Sequence, residues 1–225
     1  MSASCKALYL AHADWIQVII PDGHPAVTMT RLSVADDGGI TAIVRFPPGW
    51  RRPVTGHHSA IEEVVWLAGR FEMSGAVYRA GDHVWYPPGW TRRDSHTPSG
   101  ALALAWFSAP SQWLPVLSRH AEAAGAGHRC APWDELSTGA TPLGVPGRIL
   151  HDGPEHTTAI VDALPGGDPL PEGVKQLHVL DLATARYWRC EADAAVPEVG
   201  VGPVWIRLVP AGHSAVDNLA RPLCG

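Results

Sequence analysis

The stretch from Phe46 to Phe107, FPPGWRRPVTGHHSAIEEVVWLAGRFEMSGAVYRAGDHVWYPPGWTRRDSHTPSGALALAWF, decides the fold. Glu62–Leu67, His83–Tyr86 and Ala101–Phe107 are short runs rich in Val, Trp and Leu, and turn residues bound them. Such runs read as strands. His57, His58, Glu62 and Glu63 lie just before and at the start of one of them, and His96 follows a Pro-Pro-Gly turn. Residues of equal parity share a strand face, so His58 and Glu62 can point one way and His57 and Glu63 the other. Imidazole and carboxylate are donors that suit a borderline divalent metal.

Beyond this stretch the same signals recur. Ile40–Phe46, Thr158–Val161, Lys175–Leu182 and Val204–Val209 also read as strands. No long amphipathic helix separates them, which disfavours a parallel sheet and favours small antiparallel barrels or jelly rolls. The tetrapeptide Thr41-Ala42-Ile43-Val44 recurs as Thr158-Ala159-Ile160-Val161. Pro48-Gly49 and Pro165-Gly166 follow at the same offset, and Trp15 and Trp133 precede the two blocks at nearly that spacing. Several landmarks at one offset indicate two copies of one domain. Between them, SQWLPVLSRHAEAAGAGHR (111–129) is Ala-rich and broken by Pro115, Gly125 and Gly127, so a short helical connector is predicted.

Composition narrows the classes. Of 225 residues, 46% are apolar and 17% charged, which excludes disorder and coiled coil. The net charge of −5 leaves no basic stripe, so nucleic acid is not an expected partner. The 23 Gly and 21 Pro fit a fold of many turns, and ten Trp suggest aromatic walls around a core or cavity. Cys5, Cys130, Cys190 and Cys224 form no CxxC pair, and a reduced, soluble, cytoplasmic protein is expected, with no disulfide framework and no membrane span. A small-molecule partner is expected, and a homodimer is compatible with the sequence.

The residues of the central stretch resemble the two cupin motifs. The first motif reads His-x-His, three or four residues, Glu, six residues, Gly. The second reads Gly, five residues, Pro-x-Gly, two residues, His, three residues, Asn. Glu62 and Gly69 match the end of the first, and Gly81, Pro87 and Gly89 match the second at the right spacing. Glu62-Glu63-Val64, Leu67, Gly69 and Pro87-Pro88-Gly89 are similar to blocks of the ChrR-like and acetylacetone-dioxygenase-like cupins. The resemblance implies an all-β bicupin of two jelly-roll barrels in tandem. Residues 1–110 would form the barrel with the metal site, 111–130 the helical linker, and 131–225 a degenerate second barrel.

The departures from the pattern fall on the ligands. His58 and Glu62 stand at ligand positions, but Gly56 replaces the first histidine, with His57 one residue late. Arg92 stands at the histidine position of the second motif and His96 at its asparagine position. The expected ligand set is therefore His58 and Glu62, with His96 preferred as the third ligand over His57. His57 would need a bulge at Thr55-Gly56 to turn inward. Arg92 argues against a cation; pointing inward, it would clamp a substrate carboxylate or enolate.

The resemblance implies an Fe(II) dioxygenase acting on a small enolisable or diketone-like substrate. Zn(II) or Ni(II) would fit the same residues and would imply cyclisation or isomerisation. A metal-free cyclase or epimerase, with His58 or His96 as base and Glu62 orienting it, is favoured if Arg92 lies in the cavity. A ligand- or metal-sensing module is the non-catalytic alternative; no His/Cys-rich helical module precedes the strands, so a sigma-factor partner is not expected. The second copy places His178 opposite Glu63 and lacks a histidine cluster at the motif position. His151 and His156, near Asp152, read as a turn, and this half reads as structural.

Overall fold

The computed structural model describes residues 5–116, 128–129 and 132–211. In chain order, the first strands are β1 (Cys5–Tyr9), β2 (Ile16–Val18), β3 (Val27–Val34), β4 (Ile40–Phe46), β5 (Trp50–Arg52) and β6 (Gly56–His58). Next come β7 (Glu62–Met73), β8 (Ala76–Arg79), β9 (His83–Tyr86), β10 (Ser95–Thr97), β11 (Ala101–Phe107), β12 (Trp113–Pro115) and β13 (His128–Arg129). The last are β14 (Thr138–Ala140), β15 (Pro146–Asp152), β16 (Thr157–Val161), β17 (Val174–Asp181), β18 (Arg186–Glu191) and β19 (Val204–Pro210). The only helical turns among the described residues are Leu10–His12 and Trp133–Glu135. The described residues are all-β, as expected.

The strands form two compact units, each built on one curled antiparallel sheet. One unit is Asp14–Glu135, with strand order β13-β9-β7-β11-β4-β3-β2. The other unites residues 5–13 with 136–211, in the order β1-β18-β17-β19-β16-β15-β14. Position by position the two orders correspond, and they bring β4 and β16, the carriers of the repeated tetrapeptide, to the same place. Even a local irregularity is shared. Arg31 pairs with Ala42 and Ser33 with Thr41 across a bulge, and Ile149 pairs with Ala159 and His151 with Thr158 across another.

The boundaries differ from the sequence reading in two respects. β1 belongs to the C-terminal unit: it pairs with β18, from Cys5 opposite Cys190 to Tyr9 opposite Arg186. The Arg186 guanidinium lies 4.6 Å over the Tyr9 ring, and Cys5 and Cys190 form a disulfide. The reduced state expected for these two cysteines is thus not the one found, because a pairing separated by 185 residues leaves no local signature. Within the expected helical linker, Trp113–Pro115 is instead a strand paired with Gly56–His58. Most of the remaining linker lies outside the described residues. Among those residues, no helix is long and apolar enough to cross a membrane.

Alternation sorts the side chains of the N-terminal sheet. Val44, Val64, Trp66, Val84, Tyr86, Ala103 and Ala105 join Trp50, Phe71 and Met73 in one core. Glu62 opens the row that continues through Val64 and Trp66, so the strand period turns its carboxylate to the same face. Gly69 has φ +80° and sits where a Cβ would lie 2.1 Å from the Gly100 carbonyl oxygen. Only glycine allows β7 and β11 to approach this closely there.

Candidate active site

The N-terminal unit encloses a cavity of about 270 Å³. Its walls are mostly apolar, including Val27, Met29, Val44, Phe46, Val64, Trp66 and Phe71, while Arg52, His58, Glu62, Tyr86, Arg92 and Ser111 supply the polar groups. An apolar hollow with a few convergent polar groups is the usual form of a small-molecule site.

Backbone hydrogen bonds bring the two halves of the motif stretch together. Arg92 N donates to Gly56 O (2.7 Å) and Gly56 N to Arg92 O (3.0 Å), while Gly89 N donates to His58 O (3.0 Å). The second Pro-Pro-Gly turn is therefore fastened to β6, which delivers Arg92 beside His58. Gly56 does not bulge to re-aim His57. A Cβ there would lie 2.6 Å from Trp113 Cζ2, so its role is to admit the indole.

The polar groups form a charged cluster with one excess cation. Arg92 Nη1 makes an ion pair with Glu62 Oε2, and its guanidinium sits 4.1 Å over the Tyr86 ring. Arg52 lies 3.5 Å over the Trp113 ring, whose Nε1 donates to Asp22 Oδ2 at 3.0 Å. Arg52 and Arg92 are both buried, and among the described residues neither Nε has an acceptor. His58 Nδ1 shares a 2.8 Å hydrogen bond with Ser111 Oγ, and its ring packs against Phe107 and Trp113.

This surrounding field sets the protonation states. Burial, joined by the charges of Arg92 and Arg52, pushes His58 down to about 4, against the opposing pull of Glu62. Burial is the largest influence and would raise Glu62, but the charge and hydrogen bond of Arg92, with His58 and Arg52, together outweigh it and hold the carboxylate below its ordinary range. Burial first, then Arg92, lowers Arg52 to about 9. Burial raises Tyr86. At neutral pH the site thus holds two guanidinium ions, one carboxylate, a neutral imidazole and a neutral phenol.

The structure brings together His58, Glu62 and Arg92 of the residues expected from sequence. It does not bring His96. In β10, Ser95 and Thr97 point inward and are buried, so His96 points outward, paired with Glu72 at 3.5 Å and with its side chain 43% exposed. His57 faces away from His58 on the three-residue β6 and does not line the cavity. Glu63 is buried with His83, at 2.6 Å between Oε1 and Nε2, on the other face of β7. Sequence reading missed Arg52, Ser111 and Tyr86. For Arg52 the alternation is visible only in the structure, where Trp50 and Arg52 are buried and Arg51 between them is exposed.

A divalent metal does not fit this donor set. Among the described residues, His58 and Glu62 are the only imidazole and carboxylate lining the cavity, Glu62 is already neutralised by Arg92, and a cation would have to enter beside two guanidinium groups. The expected third ligand is on the surface. Among the described residues, a His/Glu group with donors in mutual reach lies instead in the C-terminal unit, at His151, Glu155 and His156.

The C-terminal unit keeps the frame and loses the polar groups. Following the register from β16 through β19 to β17 and β18, Leu177 stands in place of Glu62, Cys190 in place of Tyr86, and Leu208 in place of Phe107. All three are buried in its core. His178 corresponds to Glu63 and bonds the Tyr187 hydroxyl at 2.6 Å.

Comparison with known proteins agrees with this frame. Over 94% of the chain and 85% of its counterpart, it superposes with a TM-score of 0.74 on a candidate dioxygenase from Nostoc punctiforme, at 15% identity. The two chains share one fold. The match to YlbA from E. coli covers 94% of this chain and 92% of that one, with a TM-score of 0.62 and 13% identity. A candidate glyoxylate-induced protein from Pseudomonas aeruginosa gives a TM-score of 0.59 at 10% identity, over 92% and 87% of the two chains. No protein-family model and no curated protein matches the sequence.

The histidine environments carry a stability consequence. His178 is held neutral at about 3, by burial first and then by Arg207. An unfolded imidazole takes up its proton near pH 6.5. Below that pH the unfolded chain binds more protons than the folded one, so folding stability falls as the pH drops. The loss is expected to run from about pH 6.5 to about 4 through His58 and on to about 3 through His178. Thermal melts across this range should show a falling midpoint, and His58→Gln should flatten the upper part of the slope. A midpoint independent of pH between 6.5 and 4 would contradict the assigned environments.

Proposed function

We propose that the N-terminal cupin unit is a metal-independent acid–base enzyme, an isomerase or cyclase acting on a small enolisable organic anion, and that the C-terminal unit of this bicupin is its degenerate partner. The observation that carries this reading is the Arg92 guanidinium in the cavity, bound to Glu62 where a cupin metal would compete for the same carboxylate. A second guanidinium, Arg52, has a buried Nε with no acceptor among the described residues, and the neighbouring walls are apolar. A carboxylate or enolate with an apolar body complements that arrangement.

The chain's own groups suffice for a redox-neutral proton transfer. With Nδ1–H donating to Ser111 Oγ, the Nε2 lone pair of His58 is the available base. It would take a proton from the carbon next to a carbonyl. The C–H electron pair then moves into the C–C bond as the carbonyl π pair shifts to oxygen, and the guanidinium charge stabilises the resulting enolate. Return of the proton to another carbon completes an isomerisation; alternatively the enolate carbon attacks a second carbonyl of the same substrate, whose π bond breaks as its oxygen takes the proton from His58, which completes an aldol-type cyclisation. An anionic substrate offsets the Arg52 and Arg92 charges that hold His58 down, which makes the imidazole a better base when the site is filled.

The competing reading is Fe(II) dioxygenation, supported by His58 and Glu62 standing at two cupin ligand positions. Elemental analysis of protein purified without a His-tag or added metal separates the two. The test continues with chelator-treated protein in deuterated water, using phenylpyruvate as an enolisable apolar carboxylate and acetylacetone as an uncharged diketone. Deuterium uptake at the enolisable carbon of the carboxylate is expected without metal, and His58→Gln should slow it by about 10²–10⁴-fold. Stoichiometric iron that is lost in His58→Gln, or exchange abolished by the chelator, would overturn the proposal.

A further inference from the structure

The C-terminal unit carries a second chemistry-bearing cluster, unrelated to the cavity. His151 lies near the end of β15, His156 immediately precedes β16, and Glu155 is in the turn between them. Their donor atoms all lie within 4.8 Å of one another, and the two imidazole centroids are 4.6 Å apart. His156 is buried, while His151 and Glu155 are half-buried.

Local structure gathers these side chains. The bulge after Ile149 sets His151 opposite Thr158, and Gly153 N donates to His156 O at 3.1 Å, closing the turn. Asp152 is engaged elsewhere, accepting from Thr157 Oγ1 at 2.8 Å. Gly153 leaves the space that the donors occupy. A Cβ at that position would lie 2.6 Å from His151 Nε2 and 3.3 Å from Glu155 Oε2. Arg148, the nearest guanidinium along the same strand, is committed to Asp162 at 2.9 Å.

We propose that His151, Glu155 and His156 form a binding site for a single late first-row divalent cation, zinc being the type case, with water completing its coordination. Two imidazoles and one carboxylate favour such ions over magnesium or calcium, which select oxygen donors. Three protein ligands with one open position is also the arrangement that leaves a metal accessible. The half-exposed donors provide the entry path.

The test is a calorimetric zinc titration of the chelator-stripped full chain, followed by a cobalt titration read from its visible absorption. One equivalent of zinc is expected to bind at micromolar or lower concentration, with tetrahedral or five-coordinate cobalt bands. His151→Gln and Glu155→Gln should each weaken binding by on the order of a hundredfold. Gly153→Ala keeps every donor and should weaken it about tenfold by displacing two of them. Far-UV circular dichroism and thermal melts establish that each variant is folded. Absence of zinc binding at micromolar concentration, or an affinity unchanged in the His151→Gln, Glu155→Gln double variant, would overturn the site. Zinc that is lost in Glu62→Gln, but not in the double variant, would place the ion in the cavity and overturn the metal-independent reading as well.

Discussion

Replacing Arg92 by methionine is expected to destabilise the protein by about 3–5 kcal/mol, because it leaves the Glu62 carboxylate buried without its counter-charge. Loss of the contact with Tyr86 adds to the effect. The double replacement Arg92→Met, Glu62→Met should recover most of the loss, since an apolar pair of similar volume removes both desolvation penalties. The pH dependence distinguishes this account from a simple packing defect. In the native protein Glu62 titrates below its ordinary value, so its contribution is present above that value and is lost as pH falls. In Arg92→Met, burial acts without its main opponent and raises the carboxyl. Its contribution is then greatest at low pH and lost as pH rises. Urea unfolding at pH 5 and pH 7.5 should show a smaller penalty at pH 5. An equal penalty at both would mean that the pair does not carry the effect.

Arg52→Met should act on binding more than on folding. Arg52 is a buried cation whose Nε has no acceptor among the described residues and whose face rests on Trp113. Its charge is costly in the empty site and valuable when an anion arrives. Affinity for a cavity-bound carboxylate is expected to fall by roughly 2–5 kcal/mol, while the unliganded variant gains stability. Arg52→Lys should not restore binding, because an ammonium neither stacks flat on the indole nor presents a planar fork. Calorimetry with a carboxylate and its neutral amide would measure this. Equal losses for both ligands would identify Arg52 as a wall of the cavity rather than its anion contact.

Much of this arrangement is legible in the sequence, and the rest is hidden for identifiable reasons. Ile40–Phe46, His83–Tyr86 and Ala101–Phe107 are strands with the bounds that their composition suggests, since turn residues punctuate them on both sides. The meeting of His58, Glu62 and Arg92 follows from strand parity and motif spacing together. His96 was misplaced because a three-residue strand, short enough to read as loop, fixes its parity outward. Arg52 escaped because it sits between two prolines and turns in a segment whose strand is equally short. Glycine at position 56 suggested a bulge, when the constraint comes from Trp113, far along the chain. Pairings such as β1 with β18 leave no local pattern at all. Alternation reports which face a residue occupies, but not which distant strand lies alongside.

That last pairing has a consequence for synthesis. On the ribosome, residues 5–9 emerge before the Asp14–Glu135 unit, yet their neighbour Arg186–Glu191 appears only after the whole of that unit has been made. At roughly 5–20 residues per second, the leading strand waits on the order of 10–40 s, an unpaired ribbon tethered to a domain already free to fold. Assembly of the second unit is therefore not vectorial. Its β1 edge cannot close until β18 is made, and it closes with a segment synthesised before the other unit.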